Sequence, residues 1–160
     1  MSVNSHRPHI LVLPEDDANR QIANGFLLEP AVARGAAQVQ VLPVARGWSR
    51  VRHKFETELS ELLSNPCCHV VLVVDFDRNE ARREQLERVI PRTARDRAFV
   101  VGVWSEPEED FGSYEKLGRR LASDCRQEGG EANAWEHELL AHNRGELARM
   151  RQALAPIVFG

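Results

Sequence analysis

A run of aliphatic residues that ends in two aspartates places the strongest constraint on how this chain can fold. Residues 70–74 are all valine or leucine, and Asp75, Phe76 and Asp77 follow them directly. An apolar run without alternating polar residues is typical of a strand buried on both faces, in a parallel sheet covered by helices. Because strand side chains alternate, we expect Asp75 and Asp77 on the same side of the chain and Phe76 on the other. Two carboxylates held this close predict a site for a divalent cation.

Three further apolar segments predict strands, and amphipathic segments between the strands predict helices. The strands are expected at residues 9–13, 39–44 and 98–104, and the helices at residues 17–27, 49–62, 78–92, 114–125 and 135–154. Strands that alternate with helices indicate an α/β sandwich of Rossmann-like type, with a central, mostly parallel four-stranded sheet flanked by helices and an extra C-terminal helix. The apolar stripe of the last helix suits packing on the sheet, and dimerisation is the alternative.

Length and composition limit the domain organisation and the partners. A chain of 160 residues suits a single domain, here residues 1–160, with a core at about 8–126 and a C-terminal helical extension at about 131–160. The net charge of −3 gives no global basic field, so any nucleic acid must be bound by local patches or through a partner. No apolar run is long enough to span a membrane and no signal-peptide core follows the N-terminus, so we expect a cytoplasmic protein without membrane contact.

Acidic residues follow three of the predicted strands. Glu15, with Asp16 and Asp17 behind it, follows the first strand, Asp75 and Asp77 follow the third, and an acidic loop containing Glu106 and Glu109 follows the fourth. Parallel strands bring their carboxyl ends to one edge of the sheet, where α/β proteins bind ligands. Carboxylates gathered there suit Mg²⁺ or Mn²⁺, which prefer oxygen ligands. The simpler interpretation is that these acids cap the helices that follow.

The order of these motifs resembles the Toprim superfamily, the metal-binding α/β domain of topoisomerases, primases and OLD-type nucleases. A strand ending at Glu15, a second strand followed by a glycine-containing turn at residues 39–49, and a third strand ending in Asp75-Phe76-Asp77 carry the resemblance. It covers roughly the first two-thirds of the chain. The resemblance implies that Glu15 is a general acid/base or metal-assisting group and that Asp75 and Asp77 bind Mg²⁺. Glu106 and Glu109 are the positions that could supply the further acidic ligands of OLD-like members.

The resemblance also implies a function and a partner. A small stand-alone Toprim-like domain would be a metal-dependent nuclease that processes nucleic-acid phosphodiesters, with Glu15, Asp75 and Asp77 as its catalytic residues. OLD-type nucleases often combine this domain with an ABC-type ATPase, which suggests an ATPase partner protein and a role in phage defence. Arginines near the acids could contact phosphates, unless neighbouring glutamates pair with them. Self-association remains open.

Two alternative functions remain open from the sequence. Residues 10–17, which are apolar and then acidic, resemble the start of a response-regulator receiver, in which Asp75 would be the phospho-acceptor. No well-placed lysine follows, which counts against this signalling function. The other alternative is a non-catalytic interaction subunit that keeps a Toprim-like fold. Asp16 favours it, because Toprim members often have glycine directly after the glutamate.

Overall fold

The four strands form one parallel sheet, as the sequence predicts. The computed structural model describes residues 7–33, 38–105, 113–125 and 133–159. Strands β1 (His9–Pro14), β2 (Val39–Val41), β3 (Cys68–Asp75) and β4 (Ala98–Val103) lie in the order β2-β1-β3-β4. Every pairing is parallel, from β1 with β2 and β3 to β3 with β4. The predicted α/β fold with a central four-stranded sheet is confirmed.

Helices cover both faces of the sheet. Their bounds are α1 (Asp17–Leu28), α2 (Pro30–Ala33), α3 (Trp48–Lys54), which continues through a π-helical turn (Phe55–Leu59) into α4 (Ser60–Leu62), α5 (Ala81–Val89), α6 (Tyr114–Asp124) and α7 (Arg144–Val158). One face packs on α3, the π-helical turn and α5, in a core containing Leu11, Leu72 and Phe55. The other face packs on α1, α6 and α7, in two clusters containing Val71 and Leu121. The central strand β3 is buried on both faces, which explains its unbroken apolar run.

Three predicted elements begin or end at least three residues away from their predicted bounds, each for a local reason. Strand β2 ends at Val41 rather than at residue 44, because Pro43 has no N–H with which to continue the ladder. Helix α5 begins at Ala81 rather than at residue 78, because residues 77 and 78 have positive φ angles. The last helix begins at Arg144 rather than at residue 135, and two 3-10 turns (Ala134–Glu136 and Ala141–Asn143) take the place of its predicted first half.

The segment before α7 covers the outer edge of β4, which accounts for its irregular path. The Asn143 side chain accepts a hydrogen bond from the Gly102 N–H (3.3 Å) and donates one to the Gly102 carbonyl (2.7 Å). The Glu146 carboxylate accepts from the Val100 N–H (3.2 Å), and the Trp104 N–H donates to the Leu139 carbonyl (2.7 Å). A strand edge exposes polar backbone groups that must find partners when buried. The segment before α7 therefore supplies the hydrogen-bond partners that the edge of β4 needs.

Replacing Asn143 by Ala should destabilise the protein by about 3 kcal/mol, because several buried polar groups would lose their partner. Asn143 is 0% exposed, and its carbonyl oxygen also accepts from Arg83 (3.0 Å). Urea unfolding at neutral pH measures the loss. The matched control is Asn79→Ala. Within the described residues, the exposed Asn79 side chain accepts one hydrogen bond, from the Ala81 N–H (3.0 Å), and its loss should cost about 1 kcal/mol or less. Equal losses in the two variants would contradict the role of Asn143 at the β4 edge.

Candidate functional site

The strand order itself locates a ligand-binding crevice. From β1 the chain passes to β2 on one side of the sheet, whereas β3 and β4 lie on the other side. In open parallel sheets, ligands bind outside the carboxyl ends of the strands where the order reverses in this way. Here that point lies between the ends of β1 and β3. Glu15 directly follows β1, and Asp75 is the last residue of β3.

The structure joins Glu15 to Asp75 across this crevice. The Glu15 N–H donates to the Val73 carbonyl (2.9 Å), and the Glu15 carboxylate accepts a hydrogen bond from the Asp75 N–H (2.9 Å). Glu15 is 6% exposed. Burial raises the pKa of the Glu15 carboxyl above its ordinary value, the Asp75 N–H opposes this, and the charges of Asp16 and Asp75 add to the rise. The site therefore contains a buried carboxylate that is costly to ionise.

The two aspartates differ in their surroundings. Asp75 is half-buried, and its carboxylate accepts a hydrogen bond from the Asp77 N–H (2.9 Å), which closes an Asx turn. The Asp77 side chain is 78% exposed, and its φ of 47° lies in the left-handed region. We expected Asp75 and Asp77 on the same side of the chain because strand side chains alternate. That reasoning does not apply to Asp77, because β3 ends at Asp75. Phe76 points into the core, as expected, and is 0% exposed.

An arginine held beside the acids was not singled out by the sequence. The Arg82 guanidinium donates to the Asp75 carbonyl (2.8 Å) and lies 3.8 Å from the Asp77 carboxylate. It also stacks over the Trp48 ring, 4.7 Å from the ring centroid. The positive charge of Arg82 lowers the pKa of Glu15, against the larger effect of burial. The only sequence signal for Arg82 was its position in an arginine-rich helix, which did not distinguish it from its neighbours.

The backbone on both sides of the crevice is strained. The non-glycine residues with positive φ in the described part of the chain are Arg46 (69°), Asp77 (47°) and Arg78 (56°). All three lie in the two loops beside Glu15 and Asp75. The Glu15 carbonyl accepts the Arg46 N–H (2.8 Å) and the Gly47 N–H (3.3 Å). Such conformations persist where surrounding contacts enforce them, and they concentrate at functional sites.

Four of the other basic residues that could contact phosphates are engaged elsewhere. Arg52, Lys54 and Arg88 form ion pairs with glutamates one helical turn away. Arg83 lies behind the site, over the Phe76 ring and 3.6 Å from the buried Glu146 carboxylate. Arg46 and Arg78 lie on the two loops that border the acids, and Arg82 lies in the first turn of α5. Arg46 and Arg78 are exposed.

Helix capping explains the position of some of these acidic residues but not of others. Asp16 is the N-cap of α1, and its carboxylate accepts the Asn19 N–H (3.0 Å). Asp17 bonds to Arg20 and Gln21 within the same helix. The N-cap residue of α5, Glu80, makes no side-chain cap hydrogen bond, and the side chain that accepts the Ala81 N–H at the start of this helix is Asn79, not Asp75 or Asp77. Within the described residues, Glu15 therefore has no helix-capping role that would explain its burial.

Two predicted ligands cannot be placed. Glu106 and Glu109 lie outside the described residues, in the segment 106–112. Within the described ranges, no three His, Cys, Asp or Glu side chains are grouped as a metal ion would require. What the structure brings together is the pair Glu15 and Asp75, with Asp77 on the adjoining turn. Within the same ranges, no helix is long and apolar enough to cross a membrane.

Comparisons of this chain with protein-family models, with curated proteins and with solved structures gave no match.

Proposed function

We propose that the crevice between β1 and β3 binds Mg²⁺ or Mn²⁺ and that the protein is a Toprim-like nuclease that processes nucleic-acid phosphodiesters. The observation that carries this proposal is the buried Glu15 carboxylate, hydrogen-bonded to the backbone of Asp75 at the topological switch point (2.9 Å). A buried carboxylate with no capping role is stabilised in its ionised form by a nearby cation.

The carboxylates at this site suit Mg²⁺ better than a metal ion that is coordinated by protein groups alone. Mg²⁺ usually keeps several waters and is bound by one or two carboxylates together with substrate phosphates. Asp75 supplies one such carboxylate, and Asp77 is the candidate for the second because its exposed side chain follows on the same turn. Glu15 lies beside them, with its carboxylate hydrogen-bonded to the Asp75 N–H. Glu106 and Glu109 are proposed as further ligands by resemblance only. When bound, the metal would polarise the phosphate and activate a water for attack.

The protein groups have distinct parts in this proposal. Asp75 and Asp77 hold the cation, while Glu15, whose pKa is raised by burial, accepts the proton of the attacking water. A carboxyl with a raised pKa is a better proton acceptor near neutral pH. The Arg82 guanidinium, held in place by Trp48 and the Asp75 carbonyl, contacts a phosphate oxygen of the substrate. Arg46 and Arg78 form the local basic patch that an otherwise acidic protein needs to bind nucleic acid.

The proposal also includes a partner protein that helps to bind the nucleic acid. The resemblance to OLD-type nucleases suggests an ABC-type ATPase that supplies most of the nucleic-acid binding surface, in a cytoplasmic system that acts in phage defence. A homo-oligomer would serve the same end by doubling the basic patch.

Plasmid nicking in the presence of Mg²⁺ or Mn²⁺ tests the function. We expect the wild-type protein to nick plasmid, and Asp75→Asn to lose at least about 100-fold of the rate. The matched control is Asp96→Asn, because Asp96 is exposed and precedes β4 at the opposite end of the sheet. Calorimetric titration with Mg²⁺ on the same three proteins separates binding from catalysis. Equal nicking by wild type and Asp75→Asn would refute the nuclease, and a protein that neither binds Mg²⁺ nor nicks plasmid would favour the non-catalytic interaction subunit.

A further inference from the structure

In the part of the chain that the structure describes, the helices on one side of the sheet do not fill the space beneath them. A cavity of about 150 Å³, partly open to solvent, lies between the sheet and helices α1, α6 and α7. Val12 and Val73 line this cavity and keep 8% and 7% of their surface accessible, whereas Leu13 and Leu72, on the opposite face of the same strands, keep 0%. The two faces of the sheet are therefore packed to different densities. An unfilled apolar cavity lowers stability, since its lining lacks dispersion partners.

The described residues around the cavity offer nothing that would hold water or a polar ligand. Its described lining is apolar apart from a few polar groups, and these bond to the protein itself. The Trp135 indole N–H donates to the Leu121 carbonyl (2.9 Å), and the Arg151 guanidinium donates to the Cys125 carbonyl (2.5 Å). Water enters a cavity only where it finds two to four polar partners, and a dry apolar cavity of about this size can take up a single benzene ring.

The lining also contains side chains that can adapt and admit a ligand. Phe26 and Leu27 of α1, with Met150 of α7 and Phe159 just after it, line the cavity and are only partly buried. Methionine is unbranched and polarisable, so it adjusts to differently shaped apolar partners. The half-buried residues give a route from the surface between α1 and α7.

We propose that this cavity is a binding site for a small uncharged apolar ligand, of the size of one six-membered ring. The size of the cavity limits the ligand to one ring. Its apolar lining, whose polar groups already bond within the protein, favours an uncharged apolar ligand. The proposal is independent of the acidic crevice and does not require Mg²⁺.

Toluene is the probe for the test, which uses the full-length protein. We expect saturating toluene to raise the melting temperature by about 3 °C and to shift the methyl NMR signals of Val71, Val73 and Leu154. Ala155→Leu, which places a larger side chain in the cavity, should abolish both responses. The matched control is Ala148→Leu, because Ala148 is exposed on the same helix and does not line the cavity.

Two outcomes would overturn the proposal. The first is a wild-type protein whose melting temperature and methyl signals do not respond to toluene, as would happen if another part of the chain fills the cavity in solution. The second is an Ala155→Leu variant that responds as the wild type does. If Ala155→Leu does not fold, Met150→Ala replaces it. Enlarging the cavity should then allow naphthalene to bind, and failure to bind would count against the site.

Discussion

Replacing Glu15 by Gln is expected to stabilise the protein at neutral pH while it abolishes Mg²⁺-dependent activity. Gln keeps an oxygen that can accept the Asp75 N–H, so the hydrogen bond to β3 is preserved. It removes a charge that is buried and that has Asp16 and Asp75 as acidic neighbours. Loss of the proton acceptor should lower the nicking rate at least about 100-fold. Opposite effects on stability and activity are typical of a residue retained for function.

The difference in stability between wild type and Glu15→Gln should depend on pH. The folded-state pKa of Glu15 is raised above its ordinary value of 4.5, so the folded protein holds this proton more tightly than the unfolded chain. Below pH 4.5 the carboxyl is protonated in both states, and wild type and Glu15→Gln should have similar stability. As the pH rises through the folded-state pKa, the wild type loses stability relative to the variant. Urea unfolding of both proteins from acidic to neutral pH measures the difference.

Asp17→Asn is the matched control, with the opposite sign. Hydrogen bonds from Arg20 and Gln21 lower the pKa of the exposed Asp17, so its contribution is present above its ordinary pKa and is lost as the pH falls through the lowered one. This variant should be no more stable than wild type at neutral pH and should keep full nicking activity. A Glu15→Gln protein that is less stable at neutral pH and still active would contradict the role of Glu15.

Replacing Gly102 by Ala should destabilise the fold by about 4 kcal/mol or more, among the largest effects of a single substitution. A Cβ at this position would lie 1.7 Å from the Val74 carbonyl oxygen, and Gly102 has a φ of 155° that other residues rarely adopt. Relief would require β3 and β4 to separate next to Asp75, and the hydrogen bonds between Gly102 and Asn143 would be lost as well. Circular dichroism and urea unfolding measure the effect.

Gly145→Ala is the matched control for Gly102→Ala. Gly145 is exposed in α7, and an added Cβ would meet nothing within 4 Å. Because alanine favours a helix over glycine, this variant should be more stable than wild type by about 0.5–1 kcal/mol. A folded Gly102→Ala protein with wild-type stability would show that β4 does not approach β3 as closely as the structure indicates.

The strands, and the acids at their ends, could be predicted because their signals are local. The unbroken apolar run of β3 is a direct consequence of burial on both faces, and Asp75 follows it within the same segment. The position of Glu15 at the end of β1 has the same origin. Boundaries were less predictable where side chains from distant elements compete with regular structure. The side chains of Asn143 and Glu146 accept hydrogen bonds from the edge of β4, and no local sequence pattern predicts that contact.

The sequence by itself determined that apolar strands alternate with helices in a parallel sheet, and that Glu15 and Asp75 end two of its strands, because burial and side-chain alternation act over a few residues. Only the tertiary structure decided that β1 and β3 are neighbours, that the Glu15 carboxylate accepts the Asp75 N–H, and that Arg82 lies on Trp48 beside them. These contacts join residues that are far apart in sequence. Their geometry depends on the strand order and on the strained loops at the sheet edge, which no periodicity records.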